Sequence, residues 1–362
     1  MKMNSIFVLA LVISILSWSC QEKSKAVKPV KRAVEITPEL ATSTLFLDSV
    51  TVQQYLAAQK LPDSTRQMIV DFYNSRNYSY AWFDTSGVAE QAIQLWNLQS
   101  NYIEYSRDSS IYNAYLQGWA DSVYANGNKA VPAADQQRVE LELTSQFFKY
   151  ASKAYVGDES LEAKDLGWFI PRRKVDLRAF LDSLVNDNGK GVDTYEPVNR
   201  QYRLLRDALQ TYFTLQKEGA WDSLHTKAKK LSIGDTGEVV LQLKKRLALT
   251  KDLASNDGSN LFDSSLVRAI KHFQHRYGLK EDGVVGGTTM AEMNRPIDYR
   301  IKQMLVNMER IRWVPAEPKN DYLLVNIPEY RLHAYEAGNK LVFDMNVVVG
   351  STTHSTVIFT GD

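Results

Sequence analysis

Residues 231–253 read LSIGDTGEVVLQLKKRLALTKDL, and after a polar loop residues 261–296 read LFDSSLVRAIKHFQHRYGLKEDGVVGGTTMAEMNRP. Gly234 and Gly237 bracket a turn, and behind it Val240, Leu243 and Leu247 fall on one face at helical spacing. Asp263, Ser264 and Ser265 supply N-caps for a second helix. Its inner stripe is Leu266, Ile270, Phe273 and Tyr277, and Gly278 follows where the left-handed turn that ends a helix favours glycine. Thr289 and Glu292 have the spacing of a capping box for a short third helix. Pro296 stops the pattern because proline lacks the N–H a helix interior needs. The expected product is a compact three-helix unit over residues 231–296.

On the N-terminal side, residues 40–225 read as a mainly helical scaffold. Val139, Leu143, Phe147, Tyr150, Ala151 and Ala154 form one apolar stripe. Tyr202, Leu205, Leu209, Tyr212 and Phe213 form another, with Pro197 near its start. Turn-rich segments, YSYAWFDTSG at 78–87 and VNDNGKGVD at 185–193, separate the helices. Tyr78, Tyr80, Trp82 and Phe83 cluster in the first of these, and two roles suit them. Flat rings stack on sugar faces, so they fit a glycan groove; large aromatics are more often core packing, which is the favoured reading.

On the C-terminal side, a helix running from Arg300 through IKQMLVNMERIRW precedes the loop VPAEPKN and then YLLVNIPEYRLHAYEAGNKLVFDMNVVVG at 322–350. Leu324, Ile327, Leu332 and Ala334 alternate with polar residues, Glu336 to Asn339 make a turn, and LVFDMNVVVG returns as a hairpin. A lone terminal hairpin leaves its hydrogen-bonding edges unpaired. The expected fold class is therefore α+β: a mainly helical scaffold, a three-helix domain, and the first β-strands of an incomplete β-rich domain over 300–362.

The first residues follow a different logic. A basic start and the short apolar run SIFVLALVISILSW make residues 1–20 a secretory signal, too short for a comfortable membrane span. Cys20 is the only cysteine, so no disulfide forms within one chain. The segment LSWSC resembles a lipobox, which implies lipidation of Cys20 and a membrane-anchored lipoprotein in the periplasm of a Gram-negative cell. The lysine- and proline-bearing stretch at 21–39 reads as a solvated tether.

Composition narrows the function classes. A formal charge of +1 gives no global field for nucleic acid, and 44% hydrophobic residues fit a folded protein. His272 and His275 stand one helical turn apart, but no Cys, Asp or Glu stands at a supporting spacing, so they read as ordinary surface histidines and no metal or other cofactor is expected. SNDGSN at 255–260 has calcium-loop composition without the ligand spacing and reads as a turn. There is no Gly-rich phosphate loop and no G-x-S-x-G elbow.

Two resemblances sharpen this reading. GDTGEVV at 234–240, Phe262-Asp263, F-Q-x-x-x-G-L at 273–279 and D-G-V-V-G-x-x-T at 282–289 together resemble the peptidoglycan-binding domain of many cell-wall enzymes. That implies peptidoglycan glycan and stem peptides as partners, although most of the signature positions are structural. The run N-x-E-R-x-R-W at 307–313, VNIPEYRLHAY at 325–335 and VVVG at 347–350 resembles the start of the catalytic domain of large L,D-transpeptidases of the YkuD type. The resemblance spans roughly Leu61 to Asp362 and follows that family's order of helical scaffold, peptidoglycan-binding insertion and catalytic sheet.

The family's chemistry implies a cysteine in an S-x-G-C-[IV]-R motif with a nearby histidine. Cys20 lies in the signal segment and His354 follows VVVG too closely, so neither matches, and catalytic residues are expected beyond Asp362. Two readings stay open: the front part of an L,D-transpeptidase, or a non-catalytic peptidoglycan-binding lipoprotein scaffold.

Overall fold

The computed structural model describes residues 45–127, 131–168, 170–316 and 320–350. The signal segment, Cys20, the tether at 21–39 and His354 lie outside these residues. The chain divides into two compact units, one ending at Thr85 and the other beginning at Ser86. No helix among the described residues is long and apolar enough to cross a membrane.

The first unit contains α1 (Ser49–Ala58), α2 (Asp63–Ser75) and the short strand β1 (Phe83–Asp84). Asp48 caps α1 by accepting from the Val50 N–H at 3.0 Å. After α2 the chain turns back through Asn77 and Tyr78, both at positive φ. The Arg76 guanidinium fastens this turn by donating to the Ser79 and Tyr80 carbonyls at 2.9 and 3.0 Å. Tyr78, Tyr80, Trp82 and Phe83 are all buried, and Tyr80 meets Phe83 edge to face. These rings are core, which removes the glycan-groove role: stacking on a sugar needs an exposed ring face.

The second unit opens with β2 (Gly87–Val88), α3 (Glu90–Ser106), α4 (Ala114–Asn126) and α5 (Ala133–Ala151). Val139, Leu143, Phe147, Tyr150 and Ala151 of α5 are buried as their spacing predicts. The stripe does not continue in an α-helix to Ala154, because residues Ser152–Val156 form a π-helical turn. That turn keeps Ala154 and Tyr155 inside, and the Tyr150 and Tyr155 hydroxyls meet at 2.6 Å. Next come α6 (Ala163–Leu166), α7 (Leu177–Asn186), α8 (Val192–Tyr195) and α9 (Arg200–Lys217). Asn199 caps α9 through the Gln201 and Tyr202 N–H groups, so Pro197 precedes the helix rather than sitting in its first turn. Leu205 is half-buried, while Tyr202, Leu209, Tyr212 and Phe213 are buried.

The three-helix segment forms as read, with α10 (Glu238–Leu249), α11 (Ser264–Arg276) and α12 (Gly287–Met293). Val240, Leu243, Leu247, Phe262, Leu266, Ile270 and Phe273 make one core, and Tyr277 packs against it half-buried. Asp263 caps α11 by accepting from the Leu266 N–H at 2.9 Å. The capping box at Thr289 and Glu292 does not form. Gly286 is the N-cap of α12, the Thr289 hydroxyl is buried against the Gln274 side chain, and Glu292 pairs with Arg300 at 2.7 Å. Helix and tertiary partners claim both side chains before a local cap can.

Helix α13 (Ile297–Trp313) starts earlier than Arg300, directly after Pro296, and packs along α9. Beyond it lies an antiparallel sheet of β3 (Tyr322–Asn326), β4 (Arg331–Glu336) and β5 (Lys340–Asn346), in that spatial order. Three strands replace the expected single hairpin, because Ile327–Glu329 turns as a 3₁₀ segment and lets β3 pair with β4. Leu323, Val325, Val342 and Phe343 are exposed. An apolar sheet of this kind is stable when a second layer covers it.

Candidate functional site

The three-helix segment places a lysine where its helical period calls for an apolar residue. Lys244 lies one turn from Val240 and from Leu247, and its side chain is 1% exposed. Its ammonium donates to Asp263 at 2.6 Å and to both Asp257 oxygens at 3.0 and 3.1 Å. The SNDGSN turn thus uses its aspartate to receive a built-in cation. Donation from Lys244, with help from Ser265 and the Leu266 N–H, holds the Asp263 carboxyl well below the usual range. Donation from Lys244 and then from the Ser259 N–H also lowers the Asp257 carboxyl. Burial alone would lower the lysine, but the two carboxylates outweigh it and raise it.

The sign of the pH dependence follows. The depressed carboxyls contribute stability above about pH 4, the unfolded value, and lose it as pH falls through their folded values. The raised lysine contributes below about pH 10 and loses its part as pH rises through its folded value. Lys244→Met is expected to cost about 1–2 kcal/mol between these limits, since both partners are partly solvated. Urea denaturation should show the gap between variant and parent closing below about pH 4; a gap that is the same at every pH contradicts the clamp.

Beside this clamp lies a cavity of about 360 Å³ lined by Asp222, Glu238, Gln242, Lys245, Arg246 and Asn256, with Leu241 and Leu249 as its apolar part. Arg246 donates to the Met293 carbonyl at 2.8 Å and to the Asp222 carbonyl, and its guanidinium lies 3.8 Å from the Trp221 ring centre. Burial pushes the guanidinium down to about 10, so it stays charged at neutral pH. Trp221 in turn donates to the Arg295 carbonyl at 2.8 Å. A concave site with both charge signs, two carboxamides and an aliphatic floor suits a polymer bearing hydroxyls, amides and carboxylates. Trp221 and Arg246 escaped the sequence reading, the first because it lies between the helical patterns and the second because arginine reads as a solvated face.

His272 and His275 do not converge. His272 faces Asp252 at 2.7 Å, which Arg276 also holds, and His275 faces Glu281 at 2.9 Å. Among the described residues no group of three or more His, Cys, Asp or Glu side chains could hold a metal ion.

The N-x-E-R-x-R-W motif has a mounting role that its sequence does not disclose. Arg312 donates to the Ala154 carbonyl at 2.8 Å, to Glu309 at 2.5 Å and to the Tyr202 hydroxyl at 3.2 Å. Arg310 donates to the Leu166 carbonyl at 2.9 Å, and Trp313 is buried beneath the Arg172 guanidinium, 4.4 Å from its ring centre. Glu309 accepts from the Asp158 N–H at 3.3 Å. The motif therefore fixes α13 to the π-helical turn and to α9. Through Arg300, 4.1 Å from the Tyr277 ring centre, the same helix also reaches the three-helix segment.

Residues 67–209 match the family described as "Scaffold domain", and residues 236–293 match the one described as "Putative peptidoglycan binding domain". The second match covers the Lys244 clamp, Arg246 and much of the cavity wall, and it supports peptidoglycan as a partner and association with the cell wall. No curated protein matches the chain.

Proposed function

We propose that the chain holds bacterial wall polymer for cross-linking of the L,D-transpeptidase type. The observation that carries this reading is order: a stretch similar to a scaffold domain, then one similar to a peptidoglycan binding domain, then a motif-bearing helix bolted to the scaffold ahead of an apolar sheet. In such a reaction a thiolate attacks the carbonyl before the terminal residue of a tetrapeptide stem. A thioester forms, the amide C–N bond breaks, and the protonated amine leaves. The amine of a second stem then attacks the thioester, makes the new amide and releases the thiolate. Cys20 is the only cysteine of these 362 residues and sits in the signal-like segment, so the proposal assigns the nucleophile to none of them.

Reading the coding DNA through and beyond the Asp362 codon tests this. An open frame reaching S-x-G-C-[IV]-R supports it. A stop codon, confirmed by the intact mass of the cellular protein, favours the second reading, a non-catalytic wall-binding lipoprotein.

The proposal also places the mature protein in the periplasm, anchored through a lipid on Cys20. Labelled fatty acid fed to cells is expected to enter the parent protein and to be lost completely in Cys20→Ser. Label retained by that variant contradicts the anchor.

A further inference from the structure

The cavity beside the Lys244 clamp has two walls of different origin. One is the outer face of α10, where Glu238, Gln242, Lys245 and Leu249 recur at spacings of four, three and four, away from the core stripe of Val240, Leu243 and Leu247. The other is a strap, residues 220–224, which lies outside the matched segment 236–293. Both ends of the strap are fastened. The Leu224 N–H donates to Asn294 Oδ1 at 2.8 Å, the Asn294 carboxamide donates back to the Leu224 carbonyl at 2.9 Å, and Leu224 joins the three-helix core. At the other end the Arg295 carbonyl holds Trp221, and Arg246 holds the Asp222 carbonyl.

The lining balances in charge: the carboxylates of Asp222 and Glu238 stand against the Lys245 ammonium and the Arg246 guanidinium. Arg246 is committed to the Met293 and Asp222 carbonyls. The side-chain ends of Asp222, Glu238, Gln242 and Lys245 have no hydrogen-bond or ion-pair partner among the described residues. Asp222, Glu238 and Lys245 are exposed and Gln242 is half-buried, so each can meet a ligand. Glu238 and Lys245 lie about 10 Å apart along the helix, with Gln242 between them. No aromatic ring of the described residues lines the cavity, and Trp221 turns its ring to Arg246 and to Tyr212, 5.6 Å away. A glycan subsite calls for a free ring face. Opposite charges about 10 Å apart, with carboxamides and leucines between them, match a short peptide instead.

We propose that this composite cavity takes the peptide part of the wall polymer and not its glycan: a short stem segment bearing one ammonium and one carboxylate. The ammonium donates to Glu238 and the carboxylate accepts from Lys245. Gln242 and Asn256 hold the amides between them, and Leu241 and Leu249 lie under small apolar side chains. The strap closes the site from the other side, so the segment 236–293 carries only one of its two walls. Through the contact of Trp221 with Tyr212, the strap also joins the site to α9 of the scaffold. The proposal rests on the wall-association reading for the source of the peptide.

Isothermal titration calorimetry on the purified chain tests it. The probe is a synthetic tetrapeptide stem with lysine as its diamino residue, acetylated at the N-terminus and free at the side-chain amine and the C-terminal carboxylate. The comparison arms are the same peptide acetylated on the side chain, the same peptide amidated at the C-terminus, and glycan strands stripped of stems. The free peptide is expected to bind, each capped form to bind about threefold more weakly, and the stripped glycan not to bind. Glu238→Gln and Lys245→Met, both at exposed positions, should each weaken binding about threefold and together about tenfold. Acetylating the side chain should cost nothing further in Glu238→Gln, nor amidation in Lys245→Met, because each pair removes the same contact. Hydrogen exchange reads the strap: amides of 220–226 and of α10 should slow together when the peptide binds. Glycan binding as tightly as the peptide overturns the peptide assignment. Capping losses that persist in full in the matching variants overturn the roles of Glu238 and Lys245, and slowing confined to α10 overturns the strap. A chain that pellets with wall sacculi yet ignores the peptide at millimolar concentration refutes the cavity proposal alone; a folded chain that does not pellet refutes wall association itself.

Discussion

Arg312→Ala is expected to lower the unfolding free energy of the unit that begins at Ser86 by about 3 kcal/mol. The side chain is 10% exposed and donates to a carbonyl, a carboxylate and a hydroxyl on separate elements. Truncation leaves the Glu309 carboxylate, also 10% exposed, with Arg172 at 3.7 Å as its remaining charged partner. The Ala154 carbonyl keeps the Tyr202 hydroxyl at 3.0 Å, which is why the cost falls at the lower end for a broken buried ion pair. Arg312→Lys should recover less than half of the loss, because one ammonium cannot reproduce the planar fork that serves three acceptors. Urea denaturation measures both variants. A cost below about 1 kcal/mol for the alanine would mean that the motif does not mount α13.

Gly157→Ala should be comparably damaging, about 3 kcal/mol by the same measurement. Gly157 ends the π-helical turn at φ +83°, a conformation unfavourable to any residue with a Cβ. That Cβ would also sit 2.4 and 2.6 Å from the two Glu309 oxygens, which Arg312 and the Asp158 N–H hold in place. The two causes separate in a double-mutant cycle. In a Glu309→Ala background the steric part disappears and only the backbone part, about 1–2 kcal/mol, should remain. An unchanged penalty in that background would show that the carboxylate does not press on Gly157.

These two positions show where the sequence was readable and where it was not. The core of the three-helix segment was legible because Val240, Leu243, Leu247, Leu266, Ile270 and Phe273 recur at helical spacing, and burial follows periodicity when one face has a partner. Lys244 was missed although its place on that face was visible; its meaning depended on Asp257 and Asp263 arriving from the next loop and helix cap. Thr289 and Glu292 had the letters of a cap but not its geometry, since Gly286 starts the helix earlier and Arg300 takes the glutamate. The 307–313 motif could be recognised as a pattern, yet its purpose lies in carbonyls 158 and 144 residues away in the chain. No local rule reaches that far. The packing of residues 185–193 was opaque for the same reason: VNDNGKGVD read as a turn, and only the fold sets Gly189 against Gln91 and Gln94 of α3. The sheet was half-read, because strand alternation was visible but the 3₁₀ turn at Ile327 that creates a third strand was not.

Co-sedimentation of the purified chain with isolated peptidoglycan sacculi tests the central claim most directly, that the segment around the Lys244 clamp and the Arg246 cavity holds wall polymer. The account predicts that the chain pellets with sacculi, and that soluble wall fragments in excess return it to the supernatant. A folded chain that stays in the supernatant at every sacculus concentration would contradict it.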